Sequence, residues 1–201
     1  MREFILRARK ARTDHLFDLR DLPAAGRYEI VCACIMNALW VSNKLRTDTL
    51  IHVVMEGGPV PPKLLTFDGG RLSGMDYHEA AIASTIQKAL KLSHSLICDT
   101  PYEVLPGIFV QKKSFESLVR EFCDAGKQVL YLDPDGIDVR DVKFSDSVVF
   151  VFGDYIGMPA KSEKLLARLG AKEVTLGPIT LFASQCVTIA NNEMDRFFYK
   201  K

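Results

Sequence analysis

The sequence lacks paired cysteine motifs. Cys32, Cys34, Cys98, Cys123 and Cys186 are odd in number, with no C-x-x-C pair and no histidine at zinc spacing. A disulfide framework and a structural zinc site are therefore not expected. Most of these cysteines lie in apolar runs, where a free thiol packs as a small hydrophobe. Long apolar stretches are also missing: the longest, Ile30–Val41, is broken by Asn37 and is too short to cross a bilayer. The first residues carry charge without the apolar centre of a signal peptide. The expectation is a soluble, cytoplasmic protein with no membrane and no metal among its partners. Internal repeats, low-complexity tracts, a G-x-x-x-x-G-K-[ST] loop and a G-x-G-x-x-G helix opening are absent too, which disfavours ATP hydrolysis and ordinary dinucleotide binding.

What is present is ordinary globular material. The 201 residues are 48% hydrophobic and 25% charged, enough to bury a core as a single domain over 1–201. The net charge of +1 hides a gradient. Residues 1–12 hold Arg2, Arg7, Arg9, Lys10 and Arg12 against Glu3 alone, a local +4 that leaves about −3 for the rest. A basic end suits a polyanionic partner. It equally suits a solvated charged strand edge.

The apolar pattern alternates between strand and helix. Arg2–Ala8, Thr49–Met55 and Lys63–Phe67 read as strands, and Tyr28–Lys44 and Tyr77–Leu92 as helices. After Pro106-Gly107 come a strand at Ile108–Val110 and a helix capped by Ser114 and stopped by Gly126. Strands at Val129–Leu132, Val148–Phe152 and Glu173–Leu176 then alternate with helices at Lys161–Leu169 and Leu181–Phe198. Such alternation predicts an α/β fold, a mostly parallel sheet flanked by helices, with ligands beyond the carboxyl ends of the strands.

Three of those ends stand out: Tyr131-Leu132-Asp133, Phe152-Gly153-Asp154 and Leu176-Gly177-Pro178. A glycine just past a buried strand lets a ligand approach bare backbone, or simply permits a turn. With phosphate cradles absent, a ligand held by main chain and apolar walls fits, and an adenosine-bearing sulfonium is one. His52, centred in an apolar strand, reads as a satisfied core residue rather than a base. His15, His78 and His94 read as exposed.

The residues carry a family resemblance. Arg2-Glu3-Phe4-Ile5, Asp21-Leu22-Pro23 to Gly26-Arg27, Pro106 to Val110, Gly153-Asp154-Tyr155-Ile156-Gly157, and Leu176-Gly177-Pro178 running to Cys186-Val187-Thr188-Ile189 span nearly the whole chain. The second half resembles the SPOUT class of S-adenosylmethionine-dependent RNA methyltransferases. The whole resembles the archaeal tRNA pseudouridine-54 N1-methyltransferases. The rRNA pseudouridine N1-methyltransferases share that chemistry, and a non-catalytic knotted RNA-binding protein is the alternative from another class.

The resemblance implies a C-terminal trefoil knot, a homodimer, and a division into an RNA-binding part (1–105) and a knotted cofactor-binding part (106–201). By position it places Leu132, Gly153, Leu176, Gly177, Pro178, Ile179, Thr180, Leu181 and Cys186 around S-adenosyl-L-methionine. Cys186 is equally readable as a core residue on the Ala183–Cys186–Ala190 stripe. Removal of the N1 proton needs a carboxylate, or water ordered by one. Asp21, near Arg27, and Asp154 are the candidates. Asp21 also reads as a turn or capping residue, and Asp154 as a partner of the methionine amino group or a cap of the turn before Gly157. Arg7, Arg9, Arg20 and Arg27 suit contacts to tRNA phosphates. The terminal cluster Met194, Phe197, Phe198 and Tyr199 packs either across a dimer or within one core.

Overall fold

Strand β1 (Arg2–Ala8) is buried along its whole length and organises what surrounds it. The computed structural model describes residues 1–42, 44–93 and 99–199, so His94 and Cys98 lie outside the described residues. After a long irregular segment come helix α1 (Tyr28–Leu39), a two-stranded ribbon of β2 (Trp40–Val41) and β3 (Lys44–Leu45), strands β4 (Thr49–Met55) and β5 (Lys63–Asp68), and helix α2 (Glu79–Leu92). Then follow β6 (Tyr102–Leu105), β7 (Ile108–Gln111), α3 (Phe115–Asp124) and β8 (Gln128–Asp138). The chain ends with β9 (Val148–Gly153), α4 (Ala160–Arg168), β10 (Lys172–Thr175) and α5 (Ala183–Phe198).

Eight strands form one sheet in the order β10-β8-β9-β1-β4-β5-β7-β6. From β10 to β4 all neighbours are parallel, and from β4 to β6 all are antiparallel. The expected parallel sheet therefore describes the half that contains β8, β9 and β10. At the other edge β4 to β5 and β6 to β7 are joined by short connections, the latter at Pro106-Gly107, and a short connection permits only an antiparallel neighbour.

Alternation along β1 explains the layers. Phe4, Leu6 and Ala8 pack into the cluster that holds the apolar faces of α1, α2 and α5, whereas Ile5 packs against α3 and α4. The charged residues of β1 follow the same alternation. Arg2, on the α5 face, is 2% exposed and donates to Asp195 at 2.7 Å and Asn191 Oδ1 at 3.2 Å, with Asp48 at 3.1 Å. Arg46 also grips Asp195, at 2.7 Å. Burial opposes ionisation of Asp195, but hydrogen bonds from Arg46 and Arg2 outweigh it and hold the carboxyl below its ordinary range.

On the opposite face Glu3 meets His52 Nε2 at 3.0 Å and Lys127 at 2.5 Å, and His52 Nδ1 meets Thr66 at 2.9 Å. Here too burial is overcome by the partners, and the Glu3 carboxyl lies below its ordinary value. His52 is the satisfied core residue expected of it. Arg7 is buried on this same face, with Glu56 at 2.8 Å, Glu116 at 3.3 Å and the Phe115 ring at 4.6 Å. That corrects the expectation for Arg7: its guanidinium faces α3 and α4, not an RNA. The basic amino-terminal stretch is largely answered inside the protein.

Several element boundaries move. Helix α1 stops at Leu39 rather than Lys44, because its buried stripe ends there; Trp40 turns extended and Ser42 adopts a positive φ of 53°. Ser114 caps α3 as expected, its hydroxyl accepting the Ser117 N–H at 3.2 Å. Strand β8 pairs with β9 only over Gln128–Tyr131, and its register against β10 jumps so that Val174 faces Ile137. Residues 132–136 are thereby left out of the ladder as a bulge. Among the described residues no helix is long and apolar enough to cross a membrane.

Candidate active site

The bulge in β8, the turn after β9 and the segment after β10 surround one cavity of about 890 Å³ at the carboxyl ends of the parallel strands. This is where an open α/β sheet places its ligands. The start of α1 and the first turn of α5 complete the walls, through Arg27, Glu29, Ile30 and Ala33 on one side and Ala183 to Cys186 on the other. The site thus draws on both the amino-terminal and the carboxy-terminal part of the chain.

Of the residues expected around a cofactor, Leu132, Gly153, Leu176, Gly177, Ile179, Thr180, Leu181 and Cys186 all line this cavity. Pro178 does not: it belongs to the same segment but lies outside the lining. The two glycines act for different reasons. A Cβ on Gly153 would come within 2.8 Å of the Gly157 carbonyl carbon, so its bareness serves the turn that closes behind it, not a ligand. Gly177 has a φ of 140° and open space where a Cβ would stand. That backbone conformation is essentially reserved for glycine, and it turns the chain along the cavity wall.

Asp154 lines the cavity, yet both its oxygens hold backbone. Oδ2 accepts the Arg9 N–H at 2.8 Å and Oδ1 the Ile156 N–H at 3.0 Å, while Gly157 N–H donates to the Asp154 carbonyl at 2.9 Å. The geometry is that of a turn cap tied to the exit of β1. Asp21 lies outside the lining, with Oδ1 accepting the Ala24 N–H at 3.2 Å. Its expected neighbour Arg27 pairs instead with Glu29 and lies 4.9 Å over the Tyr155 ring. Arg20 is almost fully solvent-exposed and pairs with Asp18 at 2.9 Å. Arg9 contributes its backbone to the Asp154 turn and is half-buried.

Cys186 forms part of the wall while half-buried, and burial pushes its thiol up. A thiol held protonated is a packing surface, not a nucleophile. Glu29, Glu79 and Glu163 also line the cavity without having stood out in the sequence, and Tyr131, from the first of the three strand ends, joins them. Tyr131 donates to Glu163 Oε1 at 3.0 Å, and burial, then that bond, raises its phenol. Glu29 was within reach of inspection, since it stands two residues after Arg27 at the opening of α1. Glu79 and Glu163 needed the fold.

Charge distinguishes this cavity. Glu29, Glu79, Asp133, Asp154 and Glu163 face it against Arg27 as the one basic side chain of the lining. Its rim is apolar, with Tyr155, Ile156, Ile179 and Phe182 exposed, the last at 78%. Size, apolar walls and carboxylate excess suit a small organic cation. S-adenosylmethionine, with a sulfonium and an ammonium against one carboxylate, meets that description.

Comparison with known proteins agrees. A family profile described as "Putative SAM-dependent RNA methyltransferase" matches residues 1–198. The chain is 38% identical to the tRNA (pseudouridine(54)-N(1))-methyltransferase of Methanococcoides burtonii, over 98% of this chain and 96% of that protein. It is 36% identical to a Vibrio atlanticus protein named "Putative pseudouridine methyltransferase", over 97% and 98% of the two chains. Among solved structures, Archaeoglobus fulgidus Nep1 bound to S-adenosylhomocysteine aligns with a TM-score of 0.59 at 16% identity, covering 97% of each chain. At that identity the likeness concerns the fold alone.

Proposed function

The chain belongs to this family of S-adenosylmethionine-dependent RNA methyltransferases, and on that premise we propose that it methylates N1 of pseudouridine 54 in the tRNA T-loop, giving N1-methylpseudouridine. One structural observation carries the reading: a cavity at the strand ends whose lining sets five carboxylates against one guanidinium. When bound there, S-adenosylmethionine supplies a methyl group already activated by its sulfonium. The protein's task is to hold donor and acceptor in line, and such positioning is worth ~7–11 kcal/mol.

Leu132, Leu176, Ile179 and Leu181 serve as the apolar walls for the adenosine. The main chain of Gly177 and Thr180 reads its polar edges, and Cys186 packs beneath it. Gly153 and Asp154 act indirectly, by shaping the turn that closes one side. Arg9, Arg20 and Arg27 are the arginines left to meet tRNA phosphates, now that Arg7 is occupied within the fold. The exposed rim of Ile156, Ile179 and Phe182 supports a homodimer, since apolar surface around a site needs cover. The terminal aromatics divide: Met194 is buried and Phe197 packs on the core, whereas Phe198 and Tyr199 remain exposed and available to a second copy. The likeness in fold supports a knotted carboxy-terminal half, and a tRNA substrate supports a cytoplasmic location.

The test is methyl transfer from labelled S-adenosylmethionine to a T-stem-loop RNA containing pseudouridine 54, with a uridine version as control. Transfer confined to the pseudouridine RNA is expected. Equal signals on both would sink the assignment, and preference for a small-subunit rRNA hairpin would redirect it. Light scattering reads the dimer.

A further inference from the structure

The carboxylates of the cavity are not equally committed. Asp133 Oδ1 accepts the Asp135 N–H at 2.9 Å, Asp154 accepts two backbone N–H groups, and Glu163 accepts the Tyr131 hydroxyl at 3.0 Å. Glu79 lies on the exposed start of α2. Glu29 differs from them all. Its Oε1 takes the Arg27 guanidinium, and its Oε2 is buried with no hydrogen-bond partner. The side chain as a whole is 25% exposed and faces the cavity from the first turn of α1. Arg27 is itself fixed over the Tyr155 ring at 4.9 Å, so Tyr155 acts on the carboxylate only through Arg27.

A buried carboxylate oxygen without a donor costs the desolvation of that oxygen; Glu29 is the residue of the cavity lining that carries such an atom, which leaves it ready to accept from a group entering the cavity. Pseudouridine offers a donor of the required kind, the N1–H that must be lost on methylation. Asp21 does not line the cavity, its Oδ1 accepting the Ala24 N–H, and Asp154 has no oxygen left without a donor.

We propose that Glu29 is the proton acceptor of the methyl transfer, with Arg27 and Tyr155 as the groups that position it; this rests on the function proposed above. The proton on N1 passes to Oε2 of Glu29 as the nitrogen lone pair forms the new bond to the methyl carbon. The carbon–sulfur bond pair stays with sulfur, which becomes a neutral thioether. Glu29 then returns the proton to water, and charge balances at each stage.

Glu29→Gln keeps the shape and removes the base. In single-turnover transfer to the pseudouridine stem-loop it is expected to be ~10²–10⁴-fold slower than wild type. Donor affinity by calorimetry should fall far less than the rate, because four other carboxylates still face the cavity. The decline of the wild-type rate toward acid pH should vanish in the variant. Glu29→Ala should regain rate when formate is added, which a purely structural role would not produce. If Glu29→Gln transfers as fast as wild type, or keeps the acid limb, the proposal is overturned. It is equally overturned if donor affinity collapses while the rate at saturating donor survives, because Glu29 then binds the donor's ammonium. A wild-type protein inactive on pseudouridine would instead remove the proposed reaction itself, so the two failures are distinguishable. Should the Gln variant fail to fold, Glu29→Asp retains the charge and must show the acid limb at reduced rate; its absence overturns the assignment.

Discussion

In β1, Arg2 and Arg7 each meet two carboxylates inside the protein; at the cavity, five carboxylates face Arg27 alone. Both regions are charged, and both are built on the parallel half of the same sheet. In the first, every charge is answered by another part of the chain, so removing one partner should damage the fold. In the second, charge is left over, and leftover charge in a concave site is what a ligand of opposite sign recognises. Conspicuous arginines in a sequence are thus no guide to RNA contact until their partners are known.

The largest break in this comparison is expected from Arg2→Met. It removes the buried guanidinium shared by Asp195, which keeps Arg46, and by the half-exposed Asp48, and should cost roughly 2–3 kcal/mol in urea unfolding. A loss under ~1 kcal/mol would mean that the pairs at β1 are no more structural than surface ion pairs. Next come the cavity glycines. Gly153→Ala forces its methyl into the Gly157 backbone and should cost ~1–3 kcal/mol. It should weaken S-adenosylmethionine binding too, because the Asp154 turn has to shift. Gly177→Ala strains φ alone, at ~1–3 kcal/mol, with space for the methyl itself. Thermal unfolding and calorimetric titration, run side by side, separate the two.

A subtler difference lies in acid. The Glu3 and Asp195 carboxyls are held below their ordinary values in the folded protein. Their contribution is therefore complete above the ordinary carboxylate range and disappears as pH falls through it toward the folded values. Glu3→Gln should flatten that part of the stability profile. The smallest effect is expected from Arg20→Ala. Its side chain is solvent-exposed, so stability should not change measurably, while the salt dependence of tRNA binding should become shallower by about one unit of slope.

Much of the fold was legible locally. β1 and β4 were bounded correctly, and Ser114 announced the start of α3, because burial on both faces and side-chain capping leave marks within a few residues. The ribbon β2–β3 and strand β6 left none: Trp40 and Val41 continue an apolar run, and Tyr102 to Leu105 become a strand only by pairing with β7. The bulge at 132–136 was hidden for the same reason, since it exists only as a register jump against β10. At the site, the cluster of cavity-lining loops was visible from their glycines and apolar residues. The meaning of Gly153 was not, because what fills the place of its missing side chain is Gly157, a neighbour brought there by the turn.

The order of apolar runs, the turn residues between them and the three unusual strand ends were settled by the chain alone, because periodicity and turn chemistry act over a few residues. Which charge meets which was decided only in three dimensions. Arg7 and Glu116 lie far apart in the chain, as do Arg2 and Asp195, and both pairs form because the sheet brings β1 against helices that follow much later. The free oxygen of Glu29 is decided in the same way. An unpaired group can be recognised only when every possible partner has been placed.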